Sequence, residues 1–135
     1  MIFDTDIFIR LQRGNQKAAA LIDKETERYL SVMSYMELLQ GAGNKRQHLY
    51  SRDFLSSYGF IVLPLSENIG HRAAIYSEEY GLSSGLSAGD AIIAATAIEN
   101  NMPLASECKT LQDNQGSGPG YFQTVSLFRI GGDVY

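Results

Sequence analysis

The sequence predicts an α/β domain: a central, mostly parallel sheet of four to five strands flanked by helices. Two observations carry this. Short apolar runs of strand type alternate with stretches of helical periodicity along the chain. The runs Met1-Ile2-Phe3, Tyr29 to Met33, Phe60 to Leu63 and Met102 to Ser106 also show little polar alternation, as strands covered on both faces do. The 135 residues suit one domain spanning 1–135, and 44% hydrophobic residues against 19% charged ones provide a sizeable core.

Taken in order, Met1-Ile2-Phe3 forms a buried strand ending near Asp4, and Asp4-Thr5-Asp6 offers caps for a helix through Ile7-Phe8-Ile9. Ala18, Ala19, Leu21 and Ile22 give a second helix over Gln16–Glu27 its apolar stripe. Tyr29 to Met33 is a strand, and Ser34 caps the helix that follows. Gly41-Ala42-Gly43-Asn44 breaks that helix, a further one covers Lys45–Tyr58, and Gly59 stops it. Phe60 to Leu63 reads as a compact buried strand closed by Pro64, and Ser66 and Glu67 open a helix to about Tyr80. Gly81 to Gly89 reads as a loop. Asp90 to Asn100 contains AIIAATAI, apolar almost all round and therefore a helix buried against the sheet. After Met102 to Ser106 come a loop over Gln112–Gly120 and an edge strand over Tyr121–Val125.

In a parallel sheet, ligands bind at the carboxyl ends of the strands. Asp4 and Asp6 follow strand one, Glu37 lies just after strand two, Asp90 opens the most buried helix, and Glu107 follows Met102 to Ser106. Carboxylates gathered there would repel one another, and a divalent cation resolves the conflict. Oxygen-only donors select Mg²⁺ or Mn²⁺, which bridge carboxylates to phosphate. Each acid also has an ordinary role open to it: Asp4, Asp6 and Asp90 as helix caps, Glu37 as a first-turn carboxylate, Glu107 as an exposed acid at a strand end.

The segments FDTDIFI, SYMELLQG and AGDAIIAATAIENNMPLAS together resemble PIN-domain ribonucleases, specifically VapC-type toxins of toxin–antitoxin pairs, in order and spacing over nearly the whole chain. The resemblance implies a three-layer PIN fold and hydrolysis of RNA phosphodiesters, with Asp4, Glu37 and Asp90 holding Mg²⁺ or Mn²⁺. It implies supporting roles for Thr5, for Asp6, which stands where the family often has Asn, and for Ser106. The family's fourth acid falls on Cys108 when counted without gaps, so Glu107 is the candidate, with Asp113 as a more distant substitute. Lys45, Arg46 and Arg52 are candidates for the RNA backbone, or a solvated helical face. The family also implies a cognate antitoxin and a homodimer. Phe8, Leu11, Tyr50, Phe54 and Tyr58 could serve either contact or belong to the core.

Two other readings stand beside this one. Asp-Thr-Asp after a buried strand suits a haloacid-dehalogenase-like phosphatase with Asp4 as nucleophile, although Glu37 would have no role there. A non-catalytic PIN-like interaction module is the other. The lone Cys108 excludes an intrachain disulfide framework, and no apolar stretch reaches the ~18 residues of a membrane span, so the expected location is cytoplasmic. A net charge of −4 opposes nucleic-acid binding through basic charge alone, so RNA binding is expected to depend on the cation.

Overall fold

A computed structural model describes residues 1–106 and the backbone of 127–128. The elements are β1 (Ile2–Phe3), α1 (Thr5–Gln12), α2 (Gln16–Lys24), β2 (Tyr29–Ser31), α3 (Val32–Gln40), α4 (Lys45–Ser57), β3 (Ile61–Leu63), α5 (Glu67–Ser84), α6 (Ala88–Glu99), β4 (Leu104–Ala105) and β5 (Leu127–Phe128). The strands form one sheet in the order β3-β2-β1-β4-β5, and every neighbouring pair is parallel.

Successive strand residues point to opposite faces, so β1 feeds two cores. Ile2 and its register partner Leu104 pack with Ile69, Ala73 and Tyr76 of α5 and the buried face of α6. Phe3 and its partner Ala105 pack on the other side with Ile7 and Phe8 of α1, Ile22 of α2 and Leu38 of α3. The result is three layers with helices on both faces of a parallel sheet. Phe3, Phe8 and Phe60 meet edge to face, with ring centroids 5.1–6.4 Å apart.

Several element boundaries differ from the sequence reading. Val32 and Met33 belong to α3, because Ser31 rather than Ser34 is the cap: its Oγ accepts the Ser34 N–H at 3.0 Å. β2 therefore runs into α3 without a loop. α2 ends at Lys24, short of Glu27. Gly81 to Ser84 continue α5 until Gly85 ends it in the left-handed region at φ 66°, a conformation that suits glycine. Ser87 caps α6 and places Asp90 in its first turn. β3 is not buried: Ile61 is 53% exposed and Val62 36%, because β3 lies at the edge of the sheet. The edge strand expected over 121–125 lies outside the described residues, as does the loop over 112–120. Among the described residues no helix is long and apolar enough to cross a membrane.

Candidate active site

The carboxyl edge of β1 and β4 gathers the acids. Asp4 follows β1, and its N–H donates to the Ala105 carbonyl at 2.9 Å, fixing it beside the end of β4. Its side chain caps α1: Oδ1 accepts the Thr5 N–H at 2.6 Å, and Oδ2 accepts from Ser106 Oγ at 2.7 Å. The capping role and the cluster role thus coexist in one side chain. Ser106 Oγ also lies 3.4 Å from Asp6 Oδ2. From the second turn of α3, Glu37 reaches the same edge, and Thr5 Oγ1 donates to its Oε2 at 2.6 Å.

α6 approaches Glu37 closely. A Cβ placed on Gly89 would stand 2.8 Å from Glu37 Oε1 and 3.2 Å from Met33 Cε, so any larger residue there would make that carboxylate shift from its present position. Asp90 follows at once, its N–H donating to Ser87 Oγ at 3.1 Å.

Asp4 is 4% exposed. Burial pushes its carboxyl from 3.8 up to about 7, the charge of Asp6 pushes the same way, the Ser106 and Thr5 hydrogen bonds pull it down, and the charge of Asp90 adds a smaller upward push. Both charges acting on Asp4 are therefore negative. A cation would relieve this repulsion, and donors that are all oxygen fit a hard divalent ion. As placed, no three acids among the described residues are close enough to ligate one ion together. Mg²⁺ needs only one or two carboxylates beside water and phosphate, so the donor set fits it.

A cavity of about 470 Å³ opens from the Thr5–Glu37 pair. One wall is Thr5, Ile9 and Gln12 of α1 with its C-cap Arg13, Thr5, Ile9 and Arg13 being spaced four residues apart; the other is Gln47, Tyr50 and Ser51 of α4. Gln12, Arg13 and Gln47 are absent from the sequence candidates, although the helical spacing from Thr5 could have pointed to the first two. Lys45, Arg46 and Arg52 are exposed on α4 and do not line this cavity. The apolar group proposed for contacts divides: Phe8 is core, Leu11 and Phe54 are half-buried, and Tyr50 and Tyr58 are exposed. Glu107, Cys108 and Asp113 lie outside the described residues.

A three-layer parallel α/β domain with acids at the carboxyl edge of its sheet is the architecture of a known class. The PIN domain family profile matches residues 1–108, and the chain belongs to that family. The comparison with curated proteins gave no match. Among solved structures, a chain of a toxin–antitoxin complex from Klebsiella pneumoniae is 30% identical with a TM-score of 0.69, covering 88% of this chain and 92% of that one. A chain of VapBC2 from Rickettsia felis, bound to a DNA fragment from its promoter, is 18% identical with a TM-score of 0.71, covering 96% and 98%. A chain of FitAcB from Neisseria gonorrhoeae is 23% identical with a TM-score of 0.63, covering 96% of each chain. These last two likenesses concern the fold alone.

Proposed function

We propose that this protein is a divalent-cation-dependent endoribonuclease and the toxin of a toxin–antitoxin pair. The observation that carries the reading is Asp4: a buried carboxylate at the strand edge whose charged neighbours are themselves acids. Above about pH 7, where Asp4 gives up its proton, such an arrangement is costly unless a cation occupies it. PIN membership and the 30% identical chain in a toxin–antitoxin complex support the same reading.

Of Asp4, Glu37 and Asp90, one or two would ligate Mg²⁺ or Mn²⁺ directly and the rest would act through bound water. When bound, such a cation offsets charge developing on the phosphate oxygens and lowers the pKa of water toward neutrality. The chain's own groups supply orientation. The Thr5 N–H and Ser106 Oγ fix the two oxygens of Asp4, and Thr5 Oγ1 holds Glu37 Oε2 while its Oε1 faces Gly89. Asp6 shares Ser106 with Asp4 and keeps that hydroxyl aimed at the cluster. A fourth acid, Glu107, would complete the set. Lys45, Arg46 and Arg52 would meet more distant phosphates. A phospho-aspartate mechanism would leave Glu37, tied into this edge by Thr5 Oγ1, without a role, which favours the metal-dependent reading.

The partners would be RNA, an antitoxin protein and a second copy of the chain. The test is RNA cleavage during Mg²⁺ and Mn²⁺ titration by the unmutated protein and by Asp90→Asn. Cleavage by the former alone is expected. Equal activity in both, or none in either across several RNAs, would leave the chain a non-catalytic PIN module.

A further inference from the structure

The cavity beside the acids has a lining that the hydrolytic chemistry leaves unused. We propose that it is a binding subsite for one unstacked nucleobase of single-stranded RNA, adjoining the phosphate to be cut. The inference rests on the ribonuclease reading for the nature of the polymer and adds how that polymer is held.

Thr5 and Glu37 form both the end of this cavity and part of the acid cluster, so a group seated here lies next to the reacting centre. The cavity, about 470 Å³, has room for a base and its sugar. Tyr50, 65% exposed, offers a ring face, and Ile9 offers apolar surface opposite it on α1. An exposed tyrosine at a cavity wall suits base stacking, which tolerates any sequence because every base has a π-face. Two carboxamides supply edge contacts. Gln47 is oriented by its own loop: its Oε1 accepts the Gly43 N–H at 2.7 Å, which leaves the amide NH₂ to donate to a base acceptor. Gln12 stands on the other wall and can present either donor or acceptor. Arg13, the residue capping the end of α1, adds a permanent positive charge suited to a flanking phosphate.

A ring face, one oriented amide with a second beside it, and one cation match a nucleotide more closely than an apolar peptide segment. They also select single strands, because a base can enter only after leaving its stack, whereas a duplex keeps its bases paired.

The test measures binding separately from cleavage. With the acids intact and Ca²⁺ replacing Mg²⁺, so that its looser coordination occupies the carboxylates while slowing hydrolysis, fluorescence anisotropy follows random-sequence labelled octaribonucleotides and a labelled RNA duplex. Single strands should bind at least tenfold more tightly than duplex. Tyr50→Ala should weaken single-strand binding about 5- to 100-fold, Tyr50→Phe should restore it, and Gln47→Leu should weaken it less. Thermal melts would confirm that each variant is folded. Unchanged binding by folded Tyr50→Ala, or equal affinity for duplex, would overturn the subsite. So would a Tyr50→Ala that keeps RNA binding and loses only its antitoxin, since the cavity would then belong to a protein segment. Tyr50-dependent binding without cleavage by the unmutated chain would sink the ribonuclease reading and leave the subsite standing. Cleavage with Tyr50-independent binding would do the reverse, and no RNA binding at all would sink both.

Discussion

Asp4 and Gly89 show how single residues set the chemistry of this edge. Below pH 3.8 the Asp4 carboxyl is neutral in both folded and unfolded chains. Between 3.8 and about 7 the unfolded chain releases its proton while the folded one retains it. Stability of the metal-free protein therefore falls as pH rises through that window, by at most roughly 1.4 kcal/mol per pH unit from this group. Asp4→Asn keeps a capping side chain and removes the titration. In chelator, thermal melts should show the variant gaining on the parent from pH 5 to pH 8; parallel curves would refute the assignment. Gly89→Ala separates stability from activity. Alanine is better than glycine in a helix by about 1 kcal/mol, but its Cβ would stand 2.8 Å from Glu37 Oε1. The variant should keep its melting temperature within a few degrees and lose roughly tenfold or more in cleavage rate by displacing a group placed for the transition state. Full activity would mean that Glu37 can shift at no cost.

At the scale of elements, the junction of β2 with α3 matters most, because Glu37 rides on α3. Ser31 ends the strand and caps the helix, so no flexible linker separates the sheet from the acid. Ser31→Ala should cost about 1 kcal/mol, and up to about 2, seen as a lower midpoint in urea unfolding; an unchanged midpoint would show that the cap is dispensable. The sequence around this junction is ambiguous for a physical reason. Val32 and Met33 fit a strand interior as well as a first helical turn, and both Ser31 and Ser34 precede helical residues. Local preference could not choose between the two serines; the buried hydrogen bond does. The end of α5 was hidden similarly, since Gly81 and the serines after it suggest a loop unless the packing of the helix is known. Strand order was hidden too: β3 has the apolar composition of an interior strand, and only the sheet arrangement shows that it lies at the edge.

At the scale of the molecule, alternation of strands and helices sufficed to read the parallel sheet and its covered faces, because every crossover must return a strand to the same side. It also indicated which edge to search: hydrogen bonds link Asp4, Thr5, Asp6, Glu37 and Ser106 there, and the charge of Asp90 reaches Asp4. What stayed illegible is what depends on neighbours distant in sequence: Gly89 against Glu37, and the pairing of α1 with α4 around the cavity. The net charge of −4 leads to a further prediction. With no overall basic field to attract phosphate, RNA affinity should fall at least tenfold when chelator replaces Mg²⁺, while added monovalent salt should weaken binding with a log–log slope no steeper than about −3, because among the described residues only Arg13, Lys45, Arg46 and Arg52 are placed to neutralise phosphates. Anisotropy titrations would show both. Equal affinity in chelator and in Mg²⁺ would mean that the acids do not mediate contact with RNA.

The bond from the Thr5 amide to Asp4 turns the first turn of α1 into a spectroscopic gauge. The amide proton lies against the carboxylate oxygen at a donor–acceptor distance of 2.6 Å, so its chemical shift must follow whatever changes the charge on that oxygen. A proton, a cation or an Asn replacement would each move one backbone resonance differently. Occupancy of the site could then be followed by NMR on the intact protein, with no substrate and no label near the acids.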